Sequence, residues 1–376
     1  MKRIIGRIVS FLCDFVPTAN IICFSSFPDY SDNAYGMYRH MLKRGINKKF
    51  KLVWVVVDKS RLAEIDKQIK TDGSNIEVVR KYSLKAVWVY IRSRYVFETH
   101  GMFPALHLKQ HADKHICLWH GMPLKKIGAS YGEACSINCN YTVASSSLYQ
   151  KIMAEAFAKP LDRVLVVGQP RCDLMYEDTD WFETVGIDRK KYNKIGIWMP
   201  TFRKSIVGEI REDGEFNDHA VSFLEESDMR HLDESLRENN MLLLLKIHPM
   251  DALQNSSFDC FSNIILIKPK DFHSQLYPLL GACDFLLTDY SSVFIDYQIL
   301  RRPMGFVMND IDSYNNTRGF YFDNIEKVLP GPIISTMEQF SSFINNLGVL
   351  DKGIVFNDFY DNCSAERICG FLGLDV

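Results

Sequence analysis

The chain has 376 residues, of which 47% are hydrophobic and 24% are charged, and its formal net charge at pH 7 is -2. This composition excludes a disordered protein, and the balanced charge excludes a strong overall attraction to nucleic acid. The length suits two domains of about 150–200 residues each. The ten cysteines are scattered without a CxxC pair, which is typical of a cytoplasmic protein whose thiols stay reduced.

The first element predicted in the chain is an amphipathic helix over residues 1–17. Lys2, Arg3 and Arg7 lie largely off its apolar face. Two interpretations remain open: a helix lying in a membrane surface with its cations near anionic headgroups, or a helix packed on the protein's own core. The sequence contains no run of about 20 apolar residues that could span a bilayer. The apolar face consists of Ile4, Ile5, Ile8, Leu12, Phe15 and Val16.

Short apolar runs follow, separated by helical lengths, and they predict parallel strands buried on both faces. Two sets of such runs predict two doubly wound, Rossmann-like α/β domains, over residues 18–175 and 190–376, facing a cleft at the carboxyl ends of their strands. The runs are Ile21–Ser25, Leu52–Val57, Ile76–Val79, Tyr95–Phe97, Ile116–Trp119, Thr142–Ala144, Val164–Val167, Lys194–Trp198, Leu242–Ile247, Ile264–Ile267, Phe285–Leu287 and Met304–Val307.

A histidine stands at the end of one of these runs. His120 and Gly121 follow Ile116–Trp119 at once, and Lys125 and Lys126 come within reach of an anion. A neutral imidazole at the edge of a sheet can take a proton from a hydroxyl near pH 7. The alternative is a structural histidine bonded to a backbone carbonyl, and the glycine and the two lysines favour the functional interpretation.

A lysine and a second histidine end another run. Lys246 and His248 are two residues apart on the run Leu242–Ile247, so they point to the same side of the strand. Together they could hold a phosphate, and His248 could protonate a leaving oxygen. The alternative is a solvated strand end.

A third polar cluster follows the run Phe285–Leu287. Ser291 and Ser292 precede a predicted helix, whose free N–H groups favour an anion, although ordinary helix capping would use the same residues. Thr288 and Asp289 lie directly before them.

Two arginines and a further aspartate complete the candidate residues. Arg203 follows the run Lys194–Trp198 and suits a fork of hydrogen bonds on a phosphate. Arg318 and Asp323 flank an aromatic segment, and Asp323 could bind a hydroxyl of ribose or glycerol.

Metal ligation is not favoured by the sequence. His107, His111 and His115 recur at a spacing that suits a metal site on a helix, but His115 begins a predicted strand, so we favour loop histidines. No acidic cluster typical of a magnesium site is evident. We therefore expect no fixed cofactor and no metal ligands; a divalent cation is allowed but not indicated.

Eight segments occur in a characteristic order along most of the chain: FSSFPDYSDNAYGMY (24–38), WHGMPLKKIG (119–128), GQPRCD (168–173), MPTFR (199–203), KIHP (246–249), TDYSSVFIDY (288–297), RRPMGFVMNDIDSY (301–314) and RGFYFD (318–323). In this order they resemble the CDP-glycerol glycerophosphotransferase family, the enzymes of teichoic acid priming and polymerisation and of related capsule synthesis.

The resemblance implies a GT-B-like pair of Rossmann-like domains with a CDP-polyol donor in the C-terminal one. It implies that His120 faces the acceptor as the catalytic base and that His248 contacts the donor pyrophosphate. The acceptor-side residues would be Asp32, Asn33, Gly121, Lys125 and Lys126, and the donor-binding residues would be Arg203, Lys246, Thr288, Asp289, Ser291, Ser292, Arg318 and Asp323.

The expected reaction moves glycerol phosphate from CDP-glycerol to a hydroxyl of a lipid-linked saccharide or of a growing teichoic acid or capsule polymer, releasing CMP. Such an enzyme would be cytoplasmic and peripheral on the inner face of the cell membrane, without a nucleic-acid partner, and a homo-oligomer is an open possibility. The alternatives are a CDP-ribitol-using transferase, a GT-B glycosyltransferase using a nucleotide sugar, and a catalytically silent polymer-binding scaffold.

Overall fold

The structure is a computed structural model, and the chain forms two compact units within it. The first unit comprises Met1–Met122, Ile127–Leu174 and Asn357–Val376, and the second comprises Pro123–Lys126 and Met175–Phe356. The sequence had assigned everything after residue 190 to the second domain, whereas the structure returns the last twenty residues to the first unit. The described residues are 2–103, 115–132, 137–178, 181–201, 224–247, 258, 260–267, 276–308, 319–348 and 353–374.

The first unit is built on a parallel sheet. Its described strands are β1 Ala19–Ser25, β2 Lys51–Val56, β3 Ile76–Arg80, β4 Ser93–Glu98, β5 His115–Cys117, β6 Tyr141–Ala144 and β7 Val164–Val166. Their order across the sheet is β3-β2-β1-β4-β5-β6-β7. The winding reverses between β1 and β4. Loops after these two strands therefore diverge and leave a crevice at their carboxyl ends, where ligands bind in such folds.

The second unit repeats this plan. Its described strands are β8 Lys194–Met199, β9 Met241–Lys246, β10 Ile264–Ile267, β11 Phe285–Thr288, β12 Met304–Val307 and β13 Ile333–Ile334. They are parallel and ordered β10-β9-β8-β11-β12-β13, so the winding reverses between β8 and β11. Every apolar run named from the sequence coincides with a strand. The two-residue β13 was not predicted, because it is too short to show a pattern.

The helices begin where side chains can satisfy their first N–H groups. Ser83, Ser146 and Thr336 each accept a hydrogen bond from the N–H three residues later and so cap the helices Leu84–Arg92, Ser147–Ala156 and Met337–Asn345. The described helices are α1 Lys2–Phe15, α2 Asp32–Lys43, α3 Leu62–Asp72, α4 Leu84–Arg92, α5 Ser147–Ala156, α6 Pro170–Asp173, α7 Trp181–Thr184, α8 Glu226–Glu238, α9 Leu276–Ala282, α10 Val293–Tyr297, α11 Met337–Asn345 and α12 Ser364–Leu372.

Helix α12 belongs to the core of the first unit. Its residues Ile368 and Leu372 are buried in the same apolar cluster as the residues of β1. The Asp173 carboxylate accepts hydrogen bonds from the N–H groups of Ser364 and Ala365, at 3.0 and 2.8 Å. Burial raises the pKa of Asp173 to about 6. These contacts explain why the chain returns to its first unit at the end.

Helix α1 has two apolar faces. Val9 is 3% exposed and packs with Val53 and Val89 in the core of the first unit. This contact agrees with the interpretation that the helix packs on the protein's own core. The opposite side of the helix carries a row of side chains that are 56–71% exposed, which we call the apolar stripe. No helix in the described part of the chain has the length and hydrophobicity needed to cross a membrane. The apolar stripe consists of Ile4, Ile8, Phe11 and Phe15.

Candidate active site

Polar residues collect at the carboxyl ends of three neighbouring strands of the first unit. Asp32 and Asn33 open α2 after β1, Thr99 and His100 follow β4, and His120 follows β5. Because β1, β4 and β5 are adjacent in the sheet, these residues meet beside the point where its winding reverses. The structure thus groups the predicted Asp32, Asn33 and His120 with two residues that the sequence did not single out.

The ring of His120 is oriented by the backbone of Thr99. The His120 Nδ1 atom lies 3.3 Å from the Thr99 carbonyl oxygen. A carbonyl can only accept, so Nδ1 carries the proton in this contact and Nε2 keeps its lone pair. Burial, together with repulsion from the neighbouring His100 when that ring is protonated, lowers the pKa of His120 to about 4. The imidazole is therefore neutral at pH 7, with Nε2 available as a base.

The turn that carries His120 is held in an unusual backbone conformation. Trp119 has a φ of 53° and Gly121 a φ of 132°. The buried Asn33 side chain donates from Nδ2 to the carbonyl oxygens of Leu118 and Trp119, at 3.1 and 3.0 Å. Its Oδ1 accepts from the Arg171 N–H at 3.1 Å. Asn33 therefore contributes to the site by fixing this turn.

Arg171 connects the separate parts of the site. Its Nη1 atom donates to Asp32 Oδ1 and to the His120 carbonyl oxygen, both at 2.9 Å. Gly36 allows this arrangement, because a Cβ added there would lie 2.2 Å from the Pro170 oxygen. From the sequence, Arg171 was identified only as part of the segment GQPRCD. Its position in Gly-x-Pro-Arg, in the segment that follows β7, is the signal that could have identified it.

A second histidine stacks on the first. The rings of His100 and His120 are nearly parallel, with centroids 4.1 Å apart and an interplanar angle of 13°. His100 Nδ1 lies 2.8 Å from Thr99 Oγ1, and the Phe27 ring meets His100 edge-on. The sequence missed His100, because a single histidine after a strand carries no pattern of its own.

A buried cluster supports the loop of Thr99 and His100 from behind. Glu98 accepts a hydrogen bond from the Gly101 N–H, and Lys81 Nζ donates to the Gly101 oxygen at 3.1 Å. His115 Nε2 lies 3.7 Å from Glu98 Oε1. Burial raises the pKa of the Glu98 carboxyl, but its contacts with His115 and the Gly101 N–H prevail and leave it below its usual value.

His115 is thus a buried strand residue, and His107 and His111 lie outside the described residues. Within the described ranges, no three His, Cys, Asp or Glu side chains are grouped as they would be around a metal ion.

In the second unit, two residues predicted to bind the CDP-polyol donor link β8 and β11, the strands between which the winding reverses. Thr288 Oγ1 donates to the Met199 oxygen at 2.9 Å. Asp289 Oδ2 accepts from the N–H and the hydroxyl of Thr201, at 2.9 and 2.7 Å. Both side chains are buried. They therefore fix the start of the segment that leads to Arg203, itself outside the described residues.

The serines that follow are partly exposed. Ser291 Oγ is 3.5 Å from the Val293 N–H, and the Ser292 side chain makes no capping hydrogen bond. The helix that begins here, α10, has five residues and continues as a single 3₁₀ turn. Its small dipole gives little electrostatic support to an anion, so the predicted site would depend on the hydroxyls and local N–H groups.

Lys246 ends β9 at the same edge of the second sheet. Its side chain is partly buried, and burial lowers the pKa of the amine. Among the described residues, its ammonium group has no hydrogen-bond or ion-pair partner. A cation that is withdrawn from water without a counter-charge favours an incoming anion. Among the described residues of the second unit, this lysine is the clearest candidate for binding an anion.

The two lysines after His120 lie in the second unit. Lys125 pairs in antiparallel fashion with Phe320, and the Lys126 N–H donates to the Gly319 oxygen at 3.2 Å. From the sequence, both lysines were expected in the first domain. The structure places them with the second because residues 123–126 pair with residues 319–321.

Of the remaining predicted site residues, only Asp323 lies within the described part of the chain. Asp323 is exposed. His248 and Arg318 lie outside the described residues, so their roles stay predictions from the sequence.

Comparison with known proteins agrees with the two-sheet fold. The teichoic acid poly(glycerol phosphate) polymerase of Bacillus spizizenii is 27% identical over 383 residues, covering 92% of this chain and 89% of the relative. The teichoic acid glycerol-phosphate transferase of Staphylococcus aureus is 26% identical, covering 94% and 93%. The solved structure of the wall teichoic acid polymerase TagF matches with a TM-score of 0.72 at 21% identity, covering 100% of this chain and 95% of that one.

The TagF likeness shows that the fold is GT-B-like, as expected. The family model described as CDP-glycerol:poly(glycerophosphate) glycerophosphotransferase matches residues 9–368, which is nearly the whole chain. The chain therefore belongs to the CDP-glycerol:poly(glycerophosphate) glycerophosphotransferase family.

Proposed function

We propose that this enzyme transfers glycerol phosphate from CDP-glycerol to a hydroxyl of a lipid-linked saccharide or of a growing teichoic acid or capsule polymer. The observation that carries the proposal is the state of His120. Its Nδ1 is engaged by the Thr99 carbonyl, and its low pKa leaves Nε2 unprotonated at pH 7. A base in this state can take the proton of an attacking hydroxyl.

In the proposed step, the acceptor hydroxyl attacks the β-phosphorus of CDP-glycerol in line. The new bond joins the acceptor oxygen to this phosphorus, and the bond from the phosphorus to the bridging oxygen breaks. CMP leaves with that electron pair, and the hydroxyl proton goes to His120 Nε2. Phosphoryl transfer of this kind depends on positioning and on stabilising charge, since little covalent help is needed.

The second unit would hold the donor. Lys246 supplies a partly buried positive charge that no described group neutralises, and the predicted roles of Arg203, His248 and Arg318 would add to it. We propose that these cations balance the pyrophosphate charge without a resident metal ion. Turnover in the presence of EDTA checks this point, and loss of turnover that magnesium restores would contradict it.

The function is tested by incubating the purified protein with CDP-glycerol, CDP-ribitol or a nucleotide sugar in separate reactions. Each reaction contains the same membranes as the source of acceptor, and CMP release and label incorporation are both measured. Incorporation of glycerol phosphate with stoichiometric CMP release supports the proposal. Transfer of ribitol phosphate or of a sugar in preference to glycerol phosphate would overturn it.

Replacing Lys246 with methionine should weaken donor use and leave folding intact. The methionine retains most of the apolar stem and removes the charge. Loss of a charge-assisted hydrogen bond to a phosphate costs about 1.5–3 kcal/mol, so kcat/KM for CDP-glycerol should fall about tenfold to a hundredfold.

Lys194→Met is the matched control for this lysine. Lys194 begins β8 at the opposite edge of the sheet, where it pairs with Asp284 at 3.5 Å. It should leave the donor kinetics unchanged. Equal donor kinetics in both variants would remove Lys246 from the donor site.

The apolar stripe of α1 supports a position at a membrane surface. Its exposed side chains are aligned along a helix that also carries Arg7. Leu84 and Trp88 of α4, the helix packed beside α1, are also exposed, at 91% and 53%. Apolar side chains next to cations are typical of helices that lie in an anionic headgroup layer. We therefore propose peripheral binding to the membrane that holds a lipid-linked acceptor.

The double variant Ile8→Glu/Phe11→Glu should bind liposomes at least about tenfold more weakly, because burying one such side chain contributes about 1.5–3 kcal/mol. Co-sedimentation with anionic and neutral liposomes at low and high salt measures this. Leu161→Glu/Val355→Glu changes two exposed apolar residues elsewhere and should bind as the wild type does. Equal pelleting of both double variants would show that the stripe does not contact lipid.

A further inference from the structure

Thr99 contacts both stacked imidazoles through different atoms. Its carbonyl oxygen faces His120 Nδ1 at 3.3 Å, and its Oγ1 faces His100 Nδ1 at 2.8 Å. The two nitrogens of an imidazole point in nearly opposite directions. Both Nε2 atoms therefore point away from Thr99, from two nearly parallel rings whose centroids are 4.1 Å apart.

The hydrogen bonds of Thr99 give the two rings opposite tautomers. The Phe27 N–H donates to Thr99 Oγ1 at 3.3 Å, and Thr99 is fully buried, so the hydroxyl proton of Thr99 needs an acceptor within the protein. Among the described residues, His100 Nδ1 is the acceptor that remains for the hydroxyl proton. Nδ1 of a neutral His100 then accepts the hydrogen bond from the Thr99 hydroxyl, and the ring's own proton sits on Nε2. His120 has the reverse arrangement, because its Nδ1 must donate to a carbonyl.

We propose that His100 is an acceptor-binding residue, whose Nε2–H donates a hydrogen bond to the acceptor oxygen adjacent to the hydroxyl that His120 deprotonates. The inference rests on the proposed function and deepens it, because it names the chemical class of the acceptor. The paired rings present a lone pair and an N–H donor side by side. A vicinal diol, in which two hydroxyl oxygens lie on neighbouring carbons, matches this pair of groups.

Two further observations support a neutral donor at this position. His100 is exposed, so the described residues do not enclose its whole ring. Burial of the ring face lowers the pKa of His100, against the opposing effect of the Asp32 and Glu98 carboxylates; Lys81 and Arg171 lower it as well. The proton on Nε2 stays in place during the reaction, since His120 alone receives the proton of the attacking hydroxyl.

The test is a cycle of enzyme variants and acceptors at pH 7.5. One soluble acceptor ends in a phosphoglyceryl unit with a 1,2-diol, and its analogue ends in a propane-1,3-diol phosphate that lacks the middle hydroxyl. His100→Phe keeps a stacked ring and removes both nitrogens. His100→Gln places an amide N–H near the position of Nε2. Melting temperatures of all forms are compared, and kcat and KM are measured for acceptor and donor.

With the diol acceptor, His100→Phe should lower kcat/KM about three- to tenfold, the effect of one lost hydrogen bond, while KM for CDP-glycerol stays constant. On the analogue, kcat/KM of the wild-type enzyme should be lower than on the diol by the same factor. His100→Phe should cause no further loss on the analogue. His100→Gln should recover most of the activity on the diol.

Equal losses on both acceptors, or a wild-type enzyme that uses both acceptors equally well, would overturn the role of His100 and leave the proposed function standing. A wild-type enzyme that transfers glycerol phosphate to neither membranes nor soluble acceptors would overturn the proposed function and, with it, this inference.

Discussion

Replacing His120 with alanine should lower turnover by about 10²–10⁴-fold, the usual contribution of a general base, without unfolding the protein. The imidazole is held by the Thr99 carbonyl, and its Nε2 is the unprotonated group that would act as the base in the proposed reaction. Steady-state transfer from CDP-glycerol measures the loss. Melting curves and equilibrium binding of CDP-glycerol should match those of the wild type, because the residues proposed to bind the donor lie in the second unit.

The same histidine sets the dependence on pH. Its folded pKa is about 4, so the acid limb of kcat/KM that belongs to His120 should fall near pH 4 and not near pH 6.5. Between these values the unfolded state binds more protons than the folded state. This histidine therefore makes the free energy of unfolding rise with pH from about 4 to 6.5 and has no effect above that window.

The pH dependence has its own control. His120→Ala should remove this part of the stability slope. Near-wild-type turnover in the alanine variant, or an acid limb near pH 6.5 that persists in it, would remove His120 from the role of base.

Replacing Arg171 with alanine should destabilise the protein by about 3 kcal/mol, because it leaves the mostly buried Asp32 carboxylate without its counter-charge. Arg171 and Asp32 side chains are 7% and 13% exposed, and their Nη1–Oδ1 distance is 2.9 Å. The variant also loses the bond to the His120 carbonyl, so turnover should fall in the fraction that stays folded. Urea unfolding followed by circular dichroism measures the first effect, and transfer per folded molecule measures the second.

The variant Asp32→Asn tests how much of the lost stability is due to the charge pair and how much to the other contacts of Arg171. If the pair accounts for the effect, Arg171→Ala combined with Asp32→Asn should be less destabilised than the sum of the two single variants, because no unpaired carboxylate remains. Strict additivity would show that Arg171 acts through its other contacts. An exposed pair such as Arg230 and Glu226 serves as a control, and its loss should leave the free energy of unfolding almost unchanged.

Much of the fold follows from patterns that are local in the sequence. Apolar runs such as Leu52–Val57 and Leu242–Ile247 predicted strands correctly, because a strand buried on both faces must be apolar along its length. The placement of His120 directly after a strand followed from the same reasoning. The order of short motifs was enough to indicate the family, which the family model confirms over residues 9–368.

Local patterns could not show how some residues contribute to the site. Asn33 was expected on the acceptor side, and the structure uses its amide to hold the turn before His120. Lys125 was grouped with the first domain, and it pairs with Phe320 in the second unit. Each of these outcomes depends on a partner that is more than eighty residues away in the chain.

By itself, the sequence determined the two-sheet architecture, the position of the first histidine at a strand end and the family. Only the tertiary structure decided which strand ends are neighbours, since β1 lies beside β4 and β8 beside β11. Periodicity is set by each segment's own burial, whereas strand order depends on how all segments pack together. The stacking of His100 on His120 and the return of α12 to the first unit required that packing, because no single segment encodes either contact.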